Sequence, residues 1–342
     1  MGVSFKDLVK KEELDISQLK GKILAVDAHN MLYQFITTIR ERDGTPLKDS
    51  KGNVTSHLIG LFSRVTNFMS KGLKLVFVYD GKPPKLKQTE RDRRYGLKVD
   101  AQSKYEAAKQ EEDIDGMKKY GARTARLTAE MIEDSKMLLD ALGVPYIVAP
   151  SEGDAQAAYL VKKGDAYATI SQDFDTLMHG SNKLVRNLSI AGRRRKGATS
   201  IAIKPEIIIL ADVLNELGLT RDQLIVLGIL IGTDYNYGGI KGIGPKKALK
   251  LLKEHGNDYE TIFESVEWKN HFDFSWQLVF DTIKDMPVTN DYEIRFKTID
   301  ADGVFSLLCE RFEFSRERVN SSLSKLLSRQ EEKKQKGLSD FF

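Results

Sequence analysis

Four short apolar runs of strand-forming residues each lead into acidic residues, and this arrangement limits the possible folds more than any other feature. Lys22-Ile-Leu-Ala-Val-Asp27 runs into a helical pattern from about Met31 to Arg42, and Leu75-Val-Phe-Val-Tyr-Asp80 runs into Gly-Lys-Pro-Pro. Val144-Pro-Tyr-Ile-Val148 precedes Ser151-Glu-Gly-Asp154 and a helix through about Lys163; Ala166-Tyr-Ala-Thr-Ile170 precedes Gln172-Asp-Phe-Asp175. Strands alternating with helices predict an α/β fold with a mostly parallel sheet flanked by helices. Ligands of such sheets gather beyond the carboxyl ends of the strands, where all these acids lie.

Two stretches break the pattern. From about Pro84 to Arg126 the chain is charged and helix-prone, without the apolar stripe of a packed helix. Between Lys82 and Arg126 there are 13 Lys/Arg against 8 Asp/Glu, a local charge of +5, so the rest of the +4 chain totals −1. A projecting basic insertion suits a polyanionic partner, although a solvated helical face has the same composition. After about Pro205 the chain reads as mostly helical, ending in a polar, Lys-rich tail from about Gln330.

With 342 residues, the chain has the length of two domains or of one large domain with an insertion. Its 41% hydrophobic content suffices for a core. No apolar run approaches the ~20 residues of a membrane helix. The N-terminus lacks a signal-peptide core, and Lys6 replaces the Ser or Thr of a myristoylation start. The single Cys309 excludes an internal disulfide or a Cys-based zinc site. These features predict a soluble intracellular protein, with no sign of an obligate oligomer.

The acids to weigh are Asp27, Asp80, Glu152, Asp154, Asp173, Asp175 and Asp234. Each has an ordinary reading. Asp27 and Asp173 suit helix N-caps, Ser151 with Asp154 suits a capping box, and Asp80-Gly81 suits a turn. Asp234 sits in a plausible loop. Together, without matching basic residues in the same motifs, they would repel one another unless cations neutralise them. Hard oxygen donors suit Mg2+ or Mn2+, and two such ions ~4 Å apart hydrolyse phosphodiesters. Asp173-Phe-Asp175-Thr176 also fits the D-x-D-x-T pattern of aspartate-nucleophile phosphatases, though mid-chain and after other acid-ending strands.

Gly238-Gly-Ile-Lys-Gly-Ile-Gly-Pro-Lys-Lys-Ala248 opens a helix continuing to about His255. Gly239, Gly242 and Gly244 let backbone approach a phosphate, Pro245 suits a first helical turn, and Lys246 and Lys247 add charge there. This is a helix–hairpin–helix type of motif, spanning about 220–256, which grips duplex backbone without reading sequence. Within the insertion, Lys87 and Arg94 stand seven residues apart, so a helix would place both on one face.

At this point the chain resembles the flap endonuclease family, in particular its archaeal-type members. V-D-A-x-N, T-S-H-L-x-G-L-F, Y-D-G-K-P-P, A-P-S-E-G-D-A, S-Q-D-F-D-T-L, G-T-D-Y-N and G-I-G-P-K-K-A occur in the family's order and spacing. The resemblance implies a PIN-like core over residues 1–330, with a helical arch at about 84–126 that threads a 5′ flap. It implies hydrolysis of DNA at the flap's base, in Okazaki-fragment maturation and repair. It makes the seven acids ligands of two Mg2+ ions, with Mn2+ as a substitute. Lys87 and Arg94 become the residues that stabilise the scissile phosphate, and Tyr33 an aromatic that stacks on a nearby base. Gly239 and Ile240 fall where family members bind K+ through carbonyls. Arg123, Arg126 and Arg318 match DNA contacts more loosely, at the far base of the arch and in a 3′-flap pocket. Asp154 departs from the family's usual Glu, and its shorter reach would shift one metal or bring in a bridging water.

The tail, 331–342, contains Gln335, Leu338, Phe341 and Phe342 in the pattern Q-x-x-h-x-x-F-F. It resembles the peptide by which replication proteins dock on the sliding clamp, the apolar residues forming one plug. The resemblance implies a monomer acting on flap and junction DNA, away from membranes, in the cytoplasm of an archaeon or the nucleus of a eukaryote. A non-catalytic DNA-junction-binding protein would leave the acids unused. A PIN-type ribonuclease would need neither the arch nor the hairpin.

Overall fold

A computed structural model of the protein describes residues 5, 8–188, 193–196 and 199–339, with side chains described at 5, 8–188 and 203–328. Seven strands form its main sheet: β1 (Glu12–Glu13), β2 (Ile23–Asp27), β3 (Lys74–Tyr79), β4 (Tyr146–Val148), β5 (Ala168–Ile170), β6 (Lys183–Arg186) and β9 (Glu206–Ile209). Strands β7 (Arg193–Lys196) and β8 (Thr199–Ala202) pair separately as an antiparallel ribbon. The order across the main sheet is β1-β9-β6-β5-β2-β3-β4. The five strands from β6 to β4 are parallel, whereas β9 and β1 add antiparallel at one edge. The expected mostly parallel α/β sheet is therefore present.

Alternation along the central strands divides the core. Leu24 and Val26 of β2 share a cluster with Leu75, Phe77 and Tyr79 of β3. The same cluster takes in α1 (Ala28–Thr38), α2 (Ser56–Ser70) and α5 (Ala129–Ala141). Ala25, Val76 and Val78 face the other way, onto Ala157, Leu160 and Val161 of α6 (Gly153–Lys163). Burial on both faces explains why these strands read as continuous apolar runs. Helix α2 offers Leu58, Leu61, Phe62, Val65 and Phe68 at helical spacing, each worth about 1.5–3 kcal/mol when buried.

Between α2 and α5, the helices α3 (Gln88–Gln110) and α4 (Ile114–Gly121) form the charged insertion. Only Glu90, Ala101 and Ala108 of α3 are buried. The short α7 (Asp175–Met178) follows β5. A second core gathers α7, β6, β9 and the helices α8 (Leu210–Leu217), α9 (Arg221–Ile231), α10 (Pro245–His255), α11 (Tyr259–Ser265) and α12 (Trp276–Lys284). Helix α13 (Ala301–Phe305) and the start of α14 (Arg316–Ser339) return to the first core.

Several local expectations need correction. Helix α1 begins at Ala28 and ends at Thr38, earlier than Met31–Arg42, because the Asp27 carboxylate accepts from the Asn30 amide and starts the helix at once. Asp173 does not cap: Phe174 precedes α7. Ser151 and Asp154 form no capping box, since Glu152 occupies the N-cap of α6 without a side-chain cap. The chain after Pro205 first makes β9, whose Glu-Ile-Ile-Ile pairs with β6, before turning helical. Helix α14 continues to Ser339 and so runs into the tail expected from 331, which it neither supports nor contradicts as a separate segment. Among the described residues, no helix is long and apolar enough to cross a membrane.

Two glycines, one at the insertion's flank and one within it, are expected to respond oppositely to alanine. At Gly81 a Cβ would lie 2.0 Å from the Ala149 carbonyl oxygen, in the turn that sets Asp80. At Gly96, inside α3, it would meet nothing within 4 Å. Gly81→Ala should lower stability in urea unfolding by more than about 2 kcal/mol. Gly96→Ala should be neutral or stabilising by up to ~1 kcal/mol through helix propensity. The reverse order would contradict this packing.

Candidate active site

Parallel pairing of β5, β2, β3 and β4 brings their carboxyl ends side by side, so the sheet delivers the acids to one edge. Asp27 ends β2, and Asp80 follows β3. Glu152 and Asp154 open α6 after β4, while Asp173 and Asp175 lie beyond β5. Asp234 arrives separately, from the loop after α9.

Hydrogen bonds fix the acids individually. Asp80 accepts from the Gly153 amide at 2.6 Å, and a Cβ on Gly153 would approach the same oxygen to 2.8 Å. The Asp80 amide donates to His29 Nδ1 at 3.1 Å. Asp173 accepts from Asn30 Nδ2 at 3.0 Å, tying the β5 end to the first turn of α1. His29 and Asn30 were not among the expected site residues, although Asn30 is the last letter of V-D-A-x-N. Tyr235, in G-T-D-Y-N, was likewise missed. Burial raises its hydroxyl well above the ordinary range, and Glu152, Asp175, Asp234 and Asp154 add to this.

The acids strain one another. Burial raises Asp27 to about 8, with the charges of Asp80 and Asp173 adding to the rise; the Asn30 amide and Lys87 oppose it. Asp154 is raised well above its usual value by burial, then by Asp27, Asp175, Asp173 and Asp80. One of its oxygens, Oδ1, is buried without a hydrogen-bond partner. Such an orphaned acceptor is costly unless something fills its lone pairs.

Cations from the insertion partly neutralise the cluster. Lys87 bonds Glu152 and lies 3.3 Å from Asp234, while Arg94 bonds Asp234. Burial alone would depress Lys87, but Glu152 and Asp234 outweigh it and raise the ammonium above its ordinary range. Among the described residues, no three Asp, Glu, His or Cys side chains already converge closely enough to hold a metal ion. The acids share a field rather than form a coordination cage. Their chemistry still fits hard divalent cations: all donors are carboxylate oxygens, they repel one another, and Asp154 presents an unpartnered one.

Elsewhere, Tyr33 on α1 is 38% exposed, with Lys98 over its ring at 5.1 Å. Arg126 lies 4.9 Å from the Tyr95 ring, and Arg123 and Arg318 are exposed. In the hairpin between α9 and α10, Gly238, Gly239 and Gly242 have positive φ. A Cβ on Gly239 would lie 2.4 Å from the backbone of Ile231. Ile240 is buried, whereas Gly242, Gly244, Lys246 and Lys247 are exposed near the start of α10. Gln335 and Leu338 lie on α14, but their side chains are outside those described; Phe341 and Phe342 lie outside the described residues altogether.

Asp27 offers a pH test in metal-free solution. The fold keeps its proton up to about pH 8, whereas an unfolded Asp releases it near pH 4. The fold therefore gains stability from this group as pH falls from about 8 towards 4, and carries its full charge at pH 9. Asp27→Asn keeps an acceptor for Asn30 and removes the charge. In EDTA at pH 9 it should be more stable to urea by roughly 1–3 kcal/mol, the gain fading towards pH 5. Equal stability at pH 9 would contradict a buried, repelled carboxylate.

Two family models match the chain: the XPG N-terminal domain over residues 1–101 and the XPG I-region over residues 143–234. The first holds Asp27 and Asp80, and the second holds the other five acids. Flap endonuclease 1 of Thermofilum pendens is 50% identical over 330 residues, covering 95% of this chain and 94% of that protein. Flap endonuclease 1 of Hyperthermus butylicus is 48% identical with the same coverage. The solved flap endonuclease-1 of Methanococcus jannaschii superposes with a TM-score of 0.75 at 37% identity, covering 95% of this chain and 98% of that one. Nucleases of this kind are metal-dependent in general. The aspartate-nucleophile phosphatase pattern at Asp173 is thus a coincidence of spacing. Half-identity to a flap endonuclease 1 along nearly the whole of both chains decides the matter, and this chain belongs to the flap endonuclease family.

Proposed function

We propose that this protein is a structure-specific 5′ nuclease that hydrolyses DNA phosphodiesters at the base of 5′ flaps, serving Okazaki-fragment maturation and repair. The observation that carries this reading is the gathering of acids at four adjacent strand ends beside Asp234, with Lys87 of a basic insertion on Glu152 and Asp234 and Arg94 on Asp234. Asp27, Asp80, Glu152, Asp154, Asp173, Asp175 and Asp234 would hold two divalent ions, Mg2+ with Mn2+ as a substitute. When bound, these would supply an activated water and charge stabilisation for the leaving oxygen.

The chain's own residues do the rest. Lys87 and Arg94 exchange their carboxylate partners for the scissile phosphate, where fixed cations favour the charge that develops during reaction. Tyr33 offers a partly exposed ring for base stacking. Lys246 and Lys247, beside the glycine hairpin, grip duplex phosphates whatever the sequence, and the carbonyls of Gly239 and Ile240 would hold K+ there. A ribonuclease reading leaves this hairpin idle.

Cleavage of a labelled 5′-flap DNA in Mg2+, run beside single-stranded RNA, tests the activity. Asp173→Ala and Asp175→Ala should each slow flap cleavage by at least ~100-fold while flap binding in Ca2+ persists. Near-normal cleavage by both variants, or preference for RNA, would sink the assignment.

The tail is proposed as a tether to the sliding clamp, with Gln335, Leu338, Phe341 and Phe342 as its contacts. Phe341→Ala with Phe342→Ala should remove clamp binding in calorimetry and leave unassisted flap cleavage unchanged. Native clamp affinity in this variant would rule the tether out.

A further inference from the structure

Glu90 is the anomaly of the insertion. Helix α3 is charged and solvated along most of its length, yet the Glu90 carboxylate is only 3% exposed. Two guanidinium groups of the same helix enclose it. Arg93 donates to it twice, from Nε at 2.6 Å and Nη2 at 2.9 Å, and Arg94 donates from Nε at 2.6 Å. A surface i,i+4 pair contributes a few tenths of a kcal/mol and keeps both partners wet. A carboxylate enclosed by three charge-assisted bonds is a different object, because it fixes the planes of both guanidinium groups.

The directions of those groups matter. Arg94 is held along its Nε edge, so its Nη2 projects towards the acids, where it bonds Asp234. Arg93 is held in the bidentate manner, and its guanidinium carbon lies 3.6 Å from the centre of the Tyr237 ring. Tyr237 belongs to the same loop as Asp234, between α9 and the glycine hairpin, and is otherwise exposed. Through its two arginines, Glu90 therefore joins the first turns of α3 to the loop carrying one of the acids.

We propose that Glu90 is a positioning residue for the nuclease reaction: it holds the Arg94 guanidinium edge-on, so that the free edge meets the scissile phosphate without first having to be ordered. The inference rests on the proposed flap cleavage. Without the carboxylate, Arg94 keeps its charge but regains rotamer freedom, and a phosphate contact must then bear that ordering cost. The role lies in the chemical step, since both arginine charges that attract DNA remain when the carboxylate is removed.

The test is a double-mutant cycle on single-turnover cleavage of a 5′-flap DNA in Mg2+, using the full chain, Glu90→Gln, Arg94→Ala and the double variant. Flap affinity is measured in Ca2+. Glu90→Gln should slow cleavage about 10–100-fold with affinity within about twofold, and Glu90→Asp should recover part of the loss. The double variant should be no slower than Arg94→Ala alone, because a residue that acts through Arg94 has nothing left to position. Rates that multiply instead, an unaltered rate in Glu90→Gln, or a loss located entirely in affinity would each overturn the proposal. Should Glu90→Gln unfold at a markedly lower urea concentration, Glu90→Ala takes its place in the same cycle, read in buffer where it is folded, and is judged by the same criteria. Cleavage by the parent with loss in Arg94→Ala sustains the nuclease reading whatever Glu90 does; a parent that does not cut flaps removes both.

Discussion

Repulsion among carboxylates at one edge of a parallel sheet is the constraint on which the rest of this structure depends. A parallel sheet has no way to scatter its strand ends, since neighbouring strands point the same way and register keeps their termini level. Acids placed after β2, β3, β4 and β5 are therefore forced together. Burial sharpens the effect, lifting Asp27 to about 8 and Asp154 well above its usual range. A fold that keeps such a cluster does so against its own stability, as functional sites commonly do. The surroundings supply partial relief through the Asn30 amide on Asp27, the Gly153 amide on Asp80, and the ammonium of Lys87.

Asp154 shows how fine this balance is. Its Oδ1 is sealed from solvent with no donor in reach, whereas Glu152, two residues earlier, is met by Lys87. A longer side chain at 154 would carry its oxygens farther from the backbone; the aspartate leaves them near the end of β2, where Asp27 contributes the largest of the charges acting on it. The residue is thus the least compensated of the acids by the protein's own groups, and the one with most to gain from a cation.

The sheet and its acids were legible in the sequence because both follow from local rules. Val-, Ile- and Leu-rich runs mark doubly covered strands, and an acid after such a run must lie at the strand's carboxyl end. Other elements were hidden for equally physical reasons. Strand β1 is two glutamates, which carry no strand signal and pair only because β9 lies beside them. The Ile triplet of β9 leads straight into α8, so no change of period separates strand from helix. The second-layer residues were the hardest to read. Asn30 serves the site through Asp173, which lies 143 residues away, and His29 serves it through Asp80. Glu90 reads as one more charge on a solvated helix, and nothing in the sequence tells that Arg93 and Arg94 both fold back upon it.

The acids and the cations are anchored by different means, and this asymmetry indicates which set moves. The acids of β2, β3 and β5 hang from strands whose apolar residues are almost wholly buried, and those after β4 follow an edge strand anchored by the buried Ile147, so their positions draw on the stability of the core. Lys87 and Arg94 stand at the start of an insertion that buries little apolar surface: Ala101 and Ala108 along α3, Met117 on α4 and Ala125 beyond it. Elements with few apolar contacts open at much lower free energy than the core to which they are joined. The ion pairs that hold the insertion down, Lys87 with Glu152 and Arg94 with Asp234, use the very carboxylates a divalent ion would claim. A cation arriving at the acids and a phosphate arriving at the helix therefore favour the same exchange of partners, each weakening the bond that opposes the other. In this arrangement the charge at the sheet edge is held by the core, and the helix that carries the opposing cations is the more weakly anchored of the two.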